Sequence, residues 1–229
     1  MHVTSTLDKK CPEMVVVVDV LRSSSTIVTA LNNQASAVVP FASIEKAIKF
    51  RNAERRDHVI LVGERDGITP KLFDYNISPF DMTRKNIGGK IIAFSSTNLT
   101  RIIDKIRKSK IIVGCIINAK ATADYLTSED RDVAIVACGT REGPTVEDLA
   151  GAGTIASYMR NAEFSDEALA AIGLCKASDW RNLIRRGRTA KRLVSLGYGR
   201  DINFCTSVNS SLVVACMAGN EIVNARDLK

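Results

Sequence analysis

The sequence predicts an α/β protein whose mostly parallel sheet is covered by helices on both faces. Short Val/Ile-rich runs recur along the chain, and each is continuous rather than alternating, as in strands buried on both sides. Segments of helical periodicity stand between several of them, the pattern of βαβ units.

The strand-like runs occupy residues 14–20, 37–41, 59–62, 91–94, 111–114 and 133–137. Between the second and third, residues 43–54 place Ile44, Ala47, Ile48 and Ala53 at roughly helical spacing. Residues 97–108 do the same with Leu99, Ile102, Ile103 and Ile106. The stretch 63–87 differs: it carries Gly67, Pro70, Asn76 and Pro79 without any period, and reads as a long functional loop. The final third reads as an α+β portion packed on the sheet. It has a basic helical stretch over 180–196, then strand-like runs at 201–205, 212–216 and 221–223.

With 229 residues the chain suits one domain, 1–229, or two sub-lobes divided near residue 160. No apolar run approaches the ~20 residues of a membrane helix. Residues 1–10 lack the apolar core of a signal peptide, so the expected location is the cytoplasm. The six cysteines form no C-x-x-C pair, and Cys115, Cys138 and Cys205 lie in or at the end of apolar runs, as core thiols do. The net charge of +7 is local. Residues 176–200 carry eight basic residues against Asp179, which leaves the rest of the chain neutral overall. Arg181, Arg185, Arg188 and Arg192 there fall at helical spacing, so a shared basic face is expected. No nucleic-acid motif accompanies it, and a nucleic-acid partner is disfavoured.

Open α/β sheets bind ligands beyond the carboxyl ends of their strands. The predicted strands are followed by Asp19, Arg22, Ser23, Ser24, Ser25 and Thr26; by Glu64 and Arg65; by Ser96, Thr97 and Asn98; and by Gly139, Thr140 and Arg141, with Glu147 and Asp148 just beyond. Hydroxyl-rich helix starts present N–H groups and a positive dipole end to an anion. Arg22, Arg65 and Arg141 are suited to bidentate grip of phosphate or sulfonate oxygens. Asp19 and Glu64, with Glu147 or Asp148, suit a hard cation such as Mg²⁺. Gly139 and Thr140 complete a candidate phosphate-binding set with the hydroxyls. Other phosphate chemistries are disfavoured by pattern: residues 19–21 lack a second Asp at D-x-D spacing, neither Cys115 nor Cys138 begins a C-x5-R loop, and there is no P-loop. His2 and His58 are the only histidines, and neither stands at a strand end.

At these residues the sequence resembles the 2-phosphosulfolactate phosphatase family. The matching blocks are VDVLRSSST (18–26), GERDG (63–67), FDYNISP (73–79), STNLTR (96–101), ACGTR (137–141) and EDLAGAG (147–153), with a weaker match in LGYGRDINFC (196–205). The resemblance implies a three-layer α/β/α fold and a Mg²⁺-dependent phosphatase that converts 2-phosphosulfolactate to sulfolactate and phosphate, a step in coenzyme M biosynthesis. The chain has Asn98-Leu99 where the family pattern has Asn-Gly, and Asn209 where it has Asp. The alternatives are therefore the same chemistry on another small anionic phosphate ester, or a non-catalytic anion- or nucleic-acid-binding relative. The expected catalytic residues are Asp19, Arg22, Glu64 and Arg141. Either Mg²⁺ activates water, or Asp19 is itself the nucleophile and forms an aspartyl-phosphate. Assembly into a homo-oligomer is compatible with all of these readings.

Overall fold

The computed structural model describes residues 2–4, 12–53, 58–106 and 108–228. In chain order the first half comprises β1 (His2–Thr4), β2 (Met14–Val18), α1 (Ser23–Asn32), β3 (Ala37–Pro40), α2 (Ile44–Ala53), β4 (Val59–Gly63), α3 (Arg84–Ile87), β5 (Ile91–Ser95) and α4 (Leu99–Lys105). The second half adds β6 (Lys110–Gly114), α5 (Ala119–Glu129), β7 (Val133–Ala137), α6 (Val146–Tyr158), α7 (Asp166–Lys176), α8 (Trp180–Arg186), α9 (Arg188–Ser195), α10 (Gly199–Cys205), β8 (Ala215–Ala218) and β9 (Glu221–Asn224). The architecture is three-layer α/β/α. Every residue of β2, β3, β4 and β7 is buried, which explains the unbroken apolar runs: helices cover both faces, so no position along these strands meets water.

Among the described residues the strands form one nine-stranded sheet in the order β1-β7-β2-β6-β8-β9-β3-β5-β4. β1, β7, β2 and β6 are parallel to one another, as are β3, β5 and β4. The C-terminal hairpin β8–β9 lies between the two blocks, and each of its outer contacts is antiparallel. Three reversals in succession make the blocks run in opposite directions. Their junctions are narrow: Ile112 and Val113 pair with Cys216 and Ala215 on one side, and Val38 pairs with Ile222 on the other. Flat, such a sheet would send the carboxyl ends of β2 and β4 to opposite edges. Both ends nevertheless line one cleft, so the sheet curls about the hairpin and brings the blocks' ends together, as strand twist permits.

Three expectations are corrected. Residues 201–205 are helical within α10, because Asp201, Ile202 and Cys205 are buried as a helical face. The basic stretch 180–196 is two helices, since Gly187 adopts an extended backbone (φ −63°, ψ 157°) between α8 and α9. The four arginines therefore share no single helix face. Arg181 stacks on Trp180 and Arg185 donates to Asn203, both on α8, while Arg188 and Arg192 belong to α9. The long loop after β4 is irregular as expected, and it ends in a short turn of helix at Pro79–Asp81 and α3. Cys115 and Cys205 are buried and Cys138 half-buried; Cys11 lies outside the described residues.

Helix α6 packs against α7 at backbone contact. A Cβ on Gly153 would stand 1.9 Å from the carbonyl oxygen of Ala171, so glycine is required there by approach.

Candidate active site

The loop after β2 is built around Asp19. Its N–H donates to Ser24 Oγ at 2.8 Å, and its carbonyl accepts the Ser24 N–H at 2.8 Å, which turns the chain directly into α1. Ser23 Oγ donates to Asp19 Oδ2 at 2.8 Å. The neighbouring hydroxyls point inward. Ser25 donates to the Val20 carbonyl, and Thr26 to the carbonyls of Arg22 and Ile77. Asp19, Arg22 and Ser23 line the cleft; Ser24, Ser25 and Thr26 hold the turn from behind.

β7, the neighbour of β2, ends at the same place. Asp148, in the first turn of α6, accepts the Val20 N–H at 2.8 Å and the Gly139 N–H at 2.9 Å, stitching the two strand ends together. Thr140 and Gly143 exchange N–H···O bonds of 2.9 and 3.1 Å in a tight turn, which puts Thr140, Arg141 and Glu142 on the cleft. Gly139, Glu147 and Asp148 stand behind that surface. Burial next to Asp19 and Glu147 pushes the Asp148 carboxyl well above the ordinary range. Burial likewise raises Glu147, whose Oε2 finds no hydrogen-bond partner among the described residues. Cys138 is pushed well above the usual thiol value by burial and by Asp19 and Asp148, which leaves it a thiol rather than a thiolate nucleophile.

From the opposite block, Glu64 follows β4 and Thr97 follows β5. Glu64 accepts the Thr97 N–H at 2.6 Å on one oxygen, and the Gly67 N–H at 2.7 Å and Thr97 Oγ1 at 3.1 Å on the other. Gly67 at φ +81° makes the return turn possible. Glu64, Thr97 and Asn98 line the cleft. Arg65 and Ser96 do not. The Arg65 guanidinium donates to the Glu64 and Ala42 carbonyls and to Ser95 Oγ, and Ser96 Oγ is buried without a partner among the described residues.

Arg22 occupies an unexpected environment. It is 1% exposed, donates to Asp201 Oδ2 at 2.8 Å and to Asn76 Oδ1 at 2.7 Å, and lies over the Tyr198 ring at 4.2 Å. Asp201 also accepts from Ser78 Oγ at 2.9 Å. This network ties the β2 loop, the long loop and α10 together. The Arg22 guanidinium is thereby committed to Asp201 and Asn76. Sequence reasoning assigned no role to Asn76, Ser78, Tyr198 or Asp201. Their signal was present in the FDYNISP block and in the weaker block at 196–205.

α9 forms the remaining wall. Arg188, Lys191 and Arg192 line a cleft of about 600 Å³. Arg188 is paired with Glu142, and Arg192 donates through Nε and Nη2 to the Asp66 carbonyl at 3.2 and 2.6 Å. Lys191 and Arg141 make no side-chain hydrogen bond or ion pair among the described residues.

Asp19 is 7% exposed, and its pKa is raised to about 6. Burial is the main cause; the Glu64 and Glu147 charges add to it, and the Ser23 hydrogen bonds oppose it. A cation would relieve this crowding of like charge. Among the described residues, no three Asp, Glu, His or Cys side chains are grouped to hold a metal. The set expected from sequence, Asp19 and Glu64 with Glu147 or Asp148, is not grouped in that way: Glu64 and Asp148 are engaged by main-chain N–H groups, and Glu147 lies behind the lining. The buried Asp19 carboxylate is the kind of oxygen donor that would suit a hard cation such as Mg²⁺, which needs few protein carboxylates.

A sheet that delivers two buried carboxylates, Asp19 and Glu64, to the floor of a cleft under a basic rim fits the hydrolysis of anionic esters. The chain belongs to the 2-phosphosulfolactate phosphatase family, whose model, described as 2-phosphosulpholactate phosphatase, matches residues 1–220. Similar proteins include the probable 2-phosphosulfolactate phosphatases of Thermotoga petrophila (39% identical over 194 residues, 84% of this chain and 83% of that protein) and Carboxydothermus hydrogenoformans (37% over 199 residues, 85% and 82%). That of Thermoplasma acidophilum is 32% identical over 216 residues, 94% of this chain and 90% of that protein. The enzyme class is thus phosphoric monoester hydrolase. Among the described residues no helix is long and apolar enough to cross a membrane.

Proposed function

We propose that this chain hydrolyses 2-phosphosulfolactate to sulfolactate and phosphate with Mg²⁺, a reaction that would serve coenzyme M biosynthesis. The observation that carries the proposal is Asp19, a buried carboxylate crowded by Glu64 and Glu147 on the floor of a cleft whose rim is cationic. Mg²⁺ held at Asp19 would supply Lewis-acid polarisation and charge neutralisation at the phosphoryl group. The chain's own groups do the rest. Ser23 fixes the Asp19 carboxylate, Glu64 locks the Gly67 and Thr97 loops, and Arg141, on the cleft lining, would meet phosphoryl oxygens as charge grows on them. Water attacks phosphorus, the ester P–O bond breaks, and the proton lost by the water ends on the leaving oxygen.

The test is phosphate release from racemic 2-phosphosulfolactate with Mg²⁺ or with EDTA, using Asp19→Asn as control. Turnover that needs Mg²⁺ and falls at least 10³-fold in Asp19→Asn is the expected result, about 4 kcal/mol of transition-state stabilisation. Cleavage of other small phosphate esters, but not this one, would overturn the substrate while keeping the chemistry. Silence on every ester would overturn the catalytic reading.

A further inference from the structure

We propose that Arg188 and Lys191 on α9 form a second anion subsite that sets specificity by holding the carboxylate and sulfonate end of the substrate. The proposal rests on the hydrolase reading above and deepens it. Residues 188 and 191 are three apart on one helix, hence neighbours on its surface, and both line the cleft. Gly187 breaks the basic stretch just before them, which turns α9 toward the cleft and leaves the α8 arginines outside its lining.

The four rim cations, Arg141, Arg188, Lys191 and Arg192, are not equivalent. Arg192 is a clasp, committed to the Asp66 carbonyl across the cleft. Among the described residues the ion-pair partner of Arg188 is Glu142, in a pair exposed on both sides, an interaction of little net worth that an entering anion can replace; the buried Glu147 also feels its charge. Lys191 and Arg141 are unpaired among the described residues. The carboxylates facing this group are Glu142 and Asp66 at the rim, with Asp19 and Glu64 on the floor.

The cleft is therefore polarised: an acidic floor that favours a cation and a rim of cations awaiting anions. A simple phosphate ester carries one anionic group and would leave part of this rim unmatched. A substrate with two further anions fills it. Guanidinium groups match carboxylate and sulfonate oxygens bidentately, and the ammonium of Lys191 adds a point charge.

Calorimetric titration of the intact protein with racemic sulfolactate, and separately with inorganic phosphate, tests this without requiring turnover. The double variant Arg188→Ala/Lys191→Ala is compared with Arg181→Ala/Arg186→Ala, which removes equal charge from α8. Both pairs are exposed, so folding is preserved. We expect sulfolactate affinity to fall at least tenfold in the α9 variant and less than twofold in the α8 control, with phosphate affinity changed less than threefold in either. On the ester that is turned over, KM rises at least tenfold with kcat within twofold. Equal losses in the two variants would reduce the effect to a diffuse field and overturn the subsite. So would unchanged affinity in the α9 variant, or no sulfolactate binding by the wild type. Wild-type binding that depends on α9 without phosphate release from any ester would sink the hydrolase reading instead and leave the subsite standing.

Discussion

Asp19 and Arg22 stand three residues apart at the end of one strand, both almost wholly buried, and the structure gives them opposite roles. Asp19 is an anion whose neighbours make it costly; Arg22 is a cation whose neighbours fully pair it. The Asp19 pKa, raised from 3.8 to about 6, means that the folded state holds a proton more tightly than the unfolded chain does. Stability is therefore lost as pH rises from about 4 through 6, and the penalty is complete above that. Without divalent cations, Asp19→Asn should be more stable than the wild type at pH 8, by on the order of 2–3 kcal/mol, with the gain shrinking toward pH 4. Urea denaturation at several pH values in EDTA reads this directly; an equal gain at pH 4 and pH 8 would count against it. Arg22 behaves differently. Asp201→Ala would leave its guanidinium buried with Asn76 as its remaining charge-dispersing acceptor. A loss of about 3–5 kcal/mol is expected, as when one partner of a buried pair is removed, and the urea midpoint measures it. Asp19 was visible to sequence reasoning because a carboxylate ends an apolar strand run. The true partners of Arg22 were not, because Asn76 and Asp201 lie 54 and 179 residues away along the chain.

Among the elements, α6 and α9 show how helix placement shapes the cleft. α6 carries Asp148, whose two main-chain hydrogen bonds join the ends of β2 and β7, and it lies backbone-to-backbone on α7 at Gly153. Gly153→Ala would put a methyl group 1.9 Å from a carbonyl oxygen that belongs to a helix rather than to a pliable side chain. Helix propensity favours this substitution by up to about 1 kcal/mol. Overpacking outweighs it, and a net loss of about 1–3 kcal/mol is expected in thermal or chemical denaturation. A stabilised variant would show that α7 shifts freely. α9 is the element that composition described without locating. The excess charge was plain, but a continuous helix and a helix broken at Gly187 differ only in one residue's backbone. The choice between them aims the arginines either along one face or partly into the cleft.

For the whole molecule, the junctions on either side of β8–β9 hold two oppositely running parallel blocks together. Val38 with Ile222 is the narrower junction, and Ile222 is fully buried. Ile222→Ala should cost about 2–5 kcal/mol, as other large-to-small core changes do. Because the cleft needs both blocks, we expect one cooperative urea transition with an unchanged m-value. Two separated transitions would show that the blocks unfold independently. By itself the sequence determined the α/β class, five of the six parallel strands β2–β7 to within about a residue, and the chemical character of the loops after β2, β4, β5 and β7. These are local matters: an apolar run buried on both faces has one reading, and polar residues at strand ends have few. Only the tertiary structure decided that β8–β9 sits inside the sheet and reverses its direction. It also decided that the ends of opposed blocks meet in one cleft, that Arg22 and Arg65 turn inward while Arg141 stays open, and that α9 is the wall. Those outcomes depend on contacts between residues far apart in the chain, and no local pattern of side chains encodes such a pairing.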